Sequence, residues 1–351
     1  MDIDFDVDNH TFTGAQKLTY TNNSPDTLRH VYYHLYFNAF QPNSMMDVHS
    51  RNLPDQDKRI GARIAALTPG EEGQLHVQEL FQDGKVVDFH EEGTILEVKL
   101  HKALHPGEHT TLDMRFVGQV PIQIRRSGRD NKEGIAYSMA QWYPKMCEYD
   151  NTGWNTHPYV AREFYGVWGD FEVIIHIDQD YVVAAGSVLQ NPDEIAASYG
   201  KNKSKRKASI NGKLSWHFIS KNVHDFMWAA DPDYEHVVYQ GTKSPEMHFY
   251  FQPGKKTEAW EQLPEIMDYV FGFVNKNFGI YPYPVYSFIQ GGDSGMEYPM
   301  GTLITGERPL LSLVGVCVHE IVHSWYQGIL ATNESLYAWM DEGFTSYAST
   351  I

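Results

Sequence analysis

The sequence predicts a multidomain α+β protein, with an antiparallel β domain over residues 1–243 followed by a smaller α+β unit over residues 244–351. Three observations lead there. At 351 residues the chain exceeds the size at which one hydrophobic core usually stops growing. Short stretches rich in β-branched and aromatic residues, several alternating with period two, fill the part before about residue 240. Beyond that point the apolar spacing lengthens to the period of amphipathic helices.

In order, the strand-like stretches are Asp2 to Val7, His30 to Phe37, Thr94 to Leu100, Thr110 to Val117, Asp170 to Ile177, Lys213 to Ile219 and His236 to Gln240. Pro-, Gly-, Asp- and Asn-rich connectors separate them. Arg51 to Gly73 is polar and reads as a long loop with at most a short helix. The basic run within Gly200 to Lys207 reads as a solvated hairpin tip, since small polar residues flank it. Trp142, Tyr143, Trp154 and Tyr159 form an aromatic-dense region that reads either as the lining of a hydrophobic subsite or, more simply, as packing. The composition changes near Glu246 to Phe251. Lys255 to Asn277 then reads as a helix around Trp260, Met267, Phe271 and Val274, with Pro264 starting or kinking it. Pro282 and Pro284 bracket a turn, Val285 to Gln290 makes a strand, and Gly291 and Gly292 lead into Gly295-Met296-Glu297-Tyr298-Pro299.

The chemistry concentrates at His319-Glu320-Ile321-Val322-His323, followed after eighteen residues by Glu342. Leu313, Val316, Cys317 and Ile321 give the stretch from about Leu311 to Leu330 one apolar helical face, unbroken by proline. Histidines four apart on a helix share a face, so His319 and His323 can converge on one metal ion. Glu320 projects about 100° away around the axis, beside that ion, where it is free to act as a base. Asn333, Glu334 and Ser335 look like the start of a second helix, capped within Thr332 to Ser335, that returns Glu342 as a third ligand. Three ligands and an open position describe a catalytic zinc site, with one Zn2+ per chain expected.

The formal charge of −17 argues against nucleic acid and anionic membrane partners, both of which demand a basic surface. Cys147 and Cys317 are far apart, so neither a disulfide framework nor a thiolate metal site is expected. No stretch approaches eighteen consecutive apolar residues and no leader pattern opens the chain, so a soluble protein of unknown compartment is expected. Met1 to Val7 alternates like a strand in mid-stride, and Tyr347 to Ile351 stops without a helix terminator. The expectation is a fragment of a longer protein, trimmed at its start.

At these residues the chain resembles the M1 family of gluzincin metallopeptidases, the aminopeptidase N and leukotriene A4 hydrolase group. Their HExxH, eighteen-residue spacer and glutamate are matched by His319 to His323 and by Trp339-Met340-Asp341-Glu342-Gly343-Phe344-Thr345; their G-x-M-E-N element is matched by Gly295 to Pro299, with Tyr298 in place of Asn. The resemblance implies a saddle-like β domain before a thermolysin-like catalytic domain, here incomplete. It implies peptide substrates with a free N-terminus, cut by metal-activated water with Glu320 as the base. Glu297 would hold the substrate's ammonium, the Gly295 and Met296 backbone would pair with the substrate, and Gln141, after Ala140, would help hold the amine. The family's oxyanion-binding tyrosine is expected beyond Ile351, with the rest of the catalytic domain, so the 351 residues alone are expected to show little activity; among the residues present Tyr298 is no more than a candidate substitute. If Glu297 is structural, a thermolysin-type endopeptidase is the competing reading, and a non-catalytic interaction module is the reading from another class.

Overall fold

The computed structural model describes residues 1–160, 163–195 and 210–351, so the basic run at residues 200–207 lies outside the described residues. The chain forms two compact units. The first comprises Met1–Ile124, Gln141–Arg162 and Val173–Ile177; the second comprises Arg125–Ala140, Glu163–Glu172 and Asp178–Ile351.

In the first unit, Asp2–Asp6 pairs antiparallel with Thr11–Thr21 and parallel with residues of Gly169–Asp178. Thr11–Thr21 pairs along its whole length with His109–Gln119, which also receives Gln74–Gln82. Thr11–Thr21 and Gln74–Gln82 are strands absent from the sequence reading, their alternation being diluted by Gly14, Lys17 and Glu79. A second sheet runs in the order Lys145–Met146, Leu28–His34, Ile95–Leu104, Asp88–Glu92. The core is aromatic: Phe12 stacks on Phe5 and meets Phe37, Phe116 and Trp142 edge-on. Tyr159 packs on Tyr36, and Trp154 on Tyr20, Tyr32 and Tyr149, so the aromatic-dense region serves packing inside this unit.

Two glycines make room for that core. Gly14 sits opposite Phe116 and Gly118 opposite Phe12, and a Cβ at either would lie 2.2 Å from the facing ring. Gly118→Ala should therefore destabilise the fold by about 1–3 kcal/mol through overpacking, read as a lowered denaturant midpoint. An unchanged midpoint would show that Phe12 yields freely.

The second unit is built on a five-stranded sheet in the order Glu235–Gln240, Glu246–Phe251, Val285–Gln290, Gly301–Ile304, Gly295–Tyr298. The central three strands run parallel, and each edge strand is antiparallel to its neighbour. The hairpin of Glu235–Gln240 with Glu246–Phe251 straddles residue 243, where composition suggested a boundary. The outer strand of this sheet is polar enough to read like the strands before it.

Helix Leu263–Phe278 begins with Pro264 in its first turn, where the missing N–H costs nothing. Its Met267, Phe271 and Val274 join Leu313, Cys317 and Ile321 of helix Leu310–His323 over Phe249 and Phe288, whose rings stack at 4.9 Å. The motif helix is α-helical only to His323 and continues as a π-helical turn over Ser324–Ile329, where a single α-helix to Leu330 was expected. The predicted helix at Asn333 is replaced by turns, and helical structure resumes with Trp339–Gly343 (π) and Phe344–Ala348 (α). Glu334 accounts for part of this: its side chain is buried on the Gln327 amide instead of capping a first turn in water. Among the described residues no helix is long and apolar enough to cross a membrane.

Candidate metal centre

Helix periodicity delivers the first two donors. His319 and His323 lie one turn apart, their rings nearly perpendicular with centroids 4.7 Å apart. Glu342 arrives from the π-helical Trp339–Gly343 segment. His319 Nε2 lies 3.1 Å from His323 Nε2 and 3.1 Å from Glu342 Oε2, and His323 Nε2 lies 3.6 Å from the same oxygen. Bonds of 2.0–2.1 Å to a tetrahedral ion put its ligands about 3.3 Å apart, so these separations fit zinc and the donor set is one it prefers. Hydrogen bonds from the two imidazoles hold the Glu342 carboxyl far below the ordinary range, His319 contributing first.

His323 is fixed from behind. Asp341 Oδ1 stands 2.7 Å from its Nδ1, and Thr345 Oγ1 3.2 Å from the same nitrogen. A carboxylate on the second ring nitrogen sets the tautomer that leaves Nε2 free to ligate. Sequence reasoning missed Asp341, although its place beside Glu342 was the available signal. Burial alone would lower the His323 pKa, but Glu297, Asp341 and Glu342 together raise it well above the imidazole range. Asp341→Asn should weaken zinc affinity about 10–100-fold while the fold persists, measured by competition with a chromogenic chelator. Unaltered affinity would remove Asp341 from the centre.

Glu320 is buried, and burial raises its pKa to about 7 against the pull of His323 and His319. Its carboxylate lies over Gly295, where a Cβ would stand 2.2 Å from Oε1 and 2.8 Å from Val316. The glycine thus lets the edge strand Gly295–Tyr298 approach the motif helix closely enough to confine the Glu320 carboxyl. Tyr286 donates from its hydroxyl to the Glu320 backbone carbonyl at 3.3 Å.

Glu297 is brought to the same cluster, with Glu297, Glu320 and His323 each offering a ligand atom within 4.8 Å of the others. Its Oε1 is 3.8 Å from Nδ1 of His323, the nitrogen that faces Asp341. Burial raises its pKa well above the carboxylate range, with His323 opposing. Met296 is buried, and Tyr298 lines a cavity of about 10 Å³ with His224, Glu297, His323 and Gln327. Gln141 belongs to the first unit, where it is buried with a positive φ of 50°. Glu334 was read from sequence only as part of a helix start, and Glu163 and Arg126 were not singled out. The last two pair at 3.3 Å, and their charges reach Glu297 and Glu320 respectively.

No protein-family model matches the chain. Among curated proteins, mouse and human aminopeptidase B are each 33% identical to it over 114 residues, which is 30% of this chain and 17% of theirs. The matched stretch is thus about a sixth of the relatives' length. Among solved structures, a two-domain M1 zinc metallopeptidase bound to L-tryptophan matches at a TM-score of 0.64 and 17% identity, covering 99% of this chain and 68% of that one. The M1 zinc metallopeptidase of Deinococcus radiodurans bound to a Tyr-Ser-Ala substrate matches with the same coverage, at a TM-score of 0.62 and 16% identity. At such identities the likeness establishes the fold. The chain has the fold of the M1 zinc metallopeptidases, and the three donors of its HExxH-and-glutamate motif meet within it.

Proposed function

We propose that the protein is a zinc aminopeptidase, with one Zn2+ per chain held by His319, His323 and Glu342. The observation that carries this is the mutual spacing of the three donor atoms, 3.1, 3.1 and 3.6 Å. When bound, zinc lowers the pKa of its water toward 7 and polarises the scissile carbonyl. Glu320, beside the donors, takes the proton of the attacking water and returns it to the departing amine. Residues 244–351 contain each of these groups, and the segment before them supplies most of the β structure.

Glu297 makes the enzyme an exopeptidase in this reading. A buried carboxylate on the edge strand pairs with the substrate's α-ammonium, and the Gly295 and Met296 backbone adds the substrate as a further strand. The aminopeptidase B relatives and the peptide- and amino-acid-bound structural neighbours support peptide substrates with a free N-terminus. The 3.8 Å approach of Glu297 to His323 Nδ1 favours a second reading, in which Glu297 steadies the ligand and the enzyme is an endopeptidase.

Kinetics in the active protein separate the two. Glu297→Ala should lower kcat/KM on free-amine peptides at least tenfold more than on N-acetylated ones, since only the former lose a charge-assisted pair. Equal damage on both would establish the endopeptidase reading.

A further inference from the structure

We propose that Glu297, Glu334 and Asp341 form a second cation site, behind His323 from the zinc donors, that takes one divalent ion of the oxygen-preferring class, such as manganese or calcium. The proposal rests on the zinc reading of the first site. One carboxylate oxygen from each of the three residues lies within 4.8 Å of the other two, and all three side chains are buried. Glu334 Oε2, Asp341 Oδ2 and Glu297 Oε1 have no hydrogen-bond partner, and the residues are 3%, 0% and 8% exposed. The hydrogen-bond donors that reach Asp341 and Glu334 use other atoms, His323 Nδ1 meeting Asp341 Oδ1 and the Gln327 amide donating to Glu334 Oε1, while His323 Nδ1 stays 3.8 Å from Glu297 Oε1, beyond hydrogen-bond reach.

The donors are carboxylate oxygens alone, which selects hard ions over zinc or copper. His323 stands between the sites, its Nε2 toward His319 and Glu342 and its Nδ1 toward Asp341 and Glu297. An ion in the trio engages Glu297, so it competes with the substrate ammonium for that carboxylate.

Manganese is the probe, added to zinc-loaded chain and followed by its electron paramagnetic resonance signal, with zinc content measured on the same samples. The expected result is one equivalent of bound Mn2+ at unchanged zinc content, and at least tenfold weaker Mn2+ binding in Glu334→Gln, whose zinc content stays that of the unaltered chain. Calcium should also raise the thermal midpoint of the unaltered chain and not that of Glu334→Gln, which guards against a variant that merely folds poorly. Zinc-replete protein that binds no Mn2+, or binds it equally well with Glu334→Gln, would overturn the second site and leave the first intact. So would Glu334-dependent binding of L-alaninamide without any Mn2+ binding, which would make the trio an amine site. Loss of the zinc reading shows separately, as a zinc-free chain.

Discussion

Replacing His319 by Ala should leave a folded chain without tightly bound zinc. The substitution removes one of three donors, leaving His323 and Glu342, 3.6 Å apart, as the only protein ligands of the set. Two ligands and water hold zinc far more weakly than three. His319 is the better position for this test because its side chain is 28% exposed, whereas that of His323 is 1% exposed and sits 2.7 Å from the buried Asp341. His323→Ala should lose zinc too, but it also strands the Asp341 carboxylate, at a cost of roughly 3–5 kcal/mol. Elemental analysis after desalting is the measurement, with circular dichroism to confirm folding. The unaltered chain should carry one zinc, and wild-type-like content in folded His319→Ala would sink the assignment.

The convergence of the three proposed donors was legible because helical spacing is a local property. His319 and His323 need only one turn to meet, and Glu342 needs only a return of the chain. What lay outside local reading is the set of charges gathered by tertiary packing. Glu334 looked like part of the start of a helix, yet it is buried on Gln327 across the π-helical turn, and nothing in its neighbours' types signals that. Glu163 and Arg126 are far from the motif in sequence and join its electrostatics only through the fold. Asp341 is an intermediate case, adjacent to a ligand but facing the back of a different one. In the β region the strongly alternating strands were readable. Thr11–Thr21 was not, because its inward positions include Gly14, whose missing side chain is filled by Phe116 from the neighbouring strand. A residue chosen for what faces it looks like a break when read alone.

Glu320→Gln, in the active protein, should keep zinc and lose most turnover. The amide fills the same volume over Gly295, where a Cβ would meet the carboxylate at 2.2 Å, so packing at the site is preserved. It cannot accept a proton at neutral pH, and positioned general bases contribute about 10²–10⁴ in rate. The fall should appear in kcat with KM little changed, because the metal donors and Glu297 are untouched. The pH profile gives a second, independent reading. Burial raises the Glu320 carboxyl to about 7 while His323 and His319 pull it down, and a bound dication adds to that downward pull. A base works only when ionised, so activity should rise with pH along an acid limb centred below 7, then level off. In Glu320→Gln the residual activity should lack that limb. Near-normal kcat in the zinc-replete variant, or an unchanged acid limb, would take Glu320 out of the mechanism.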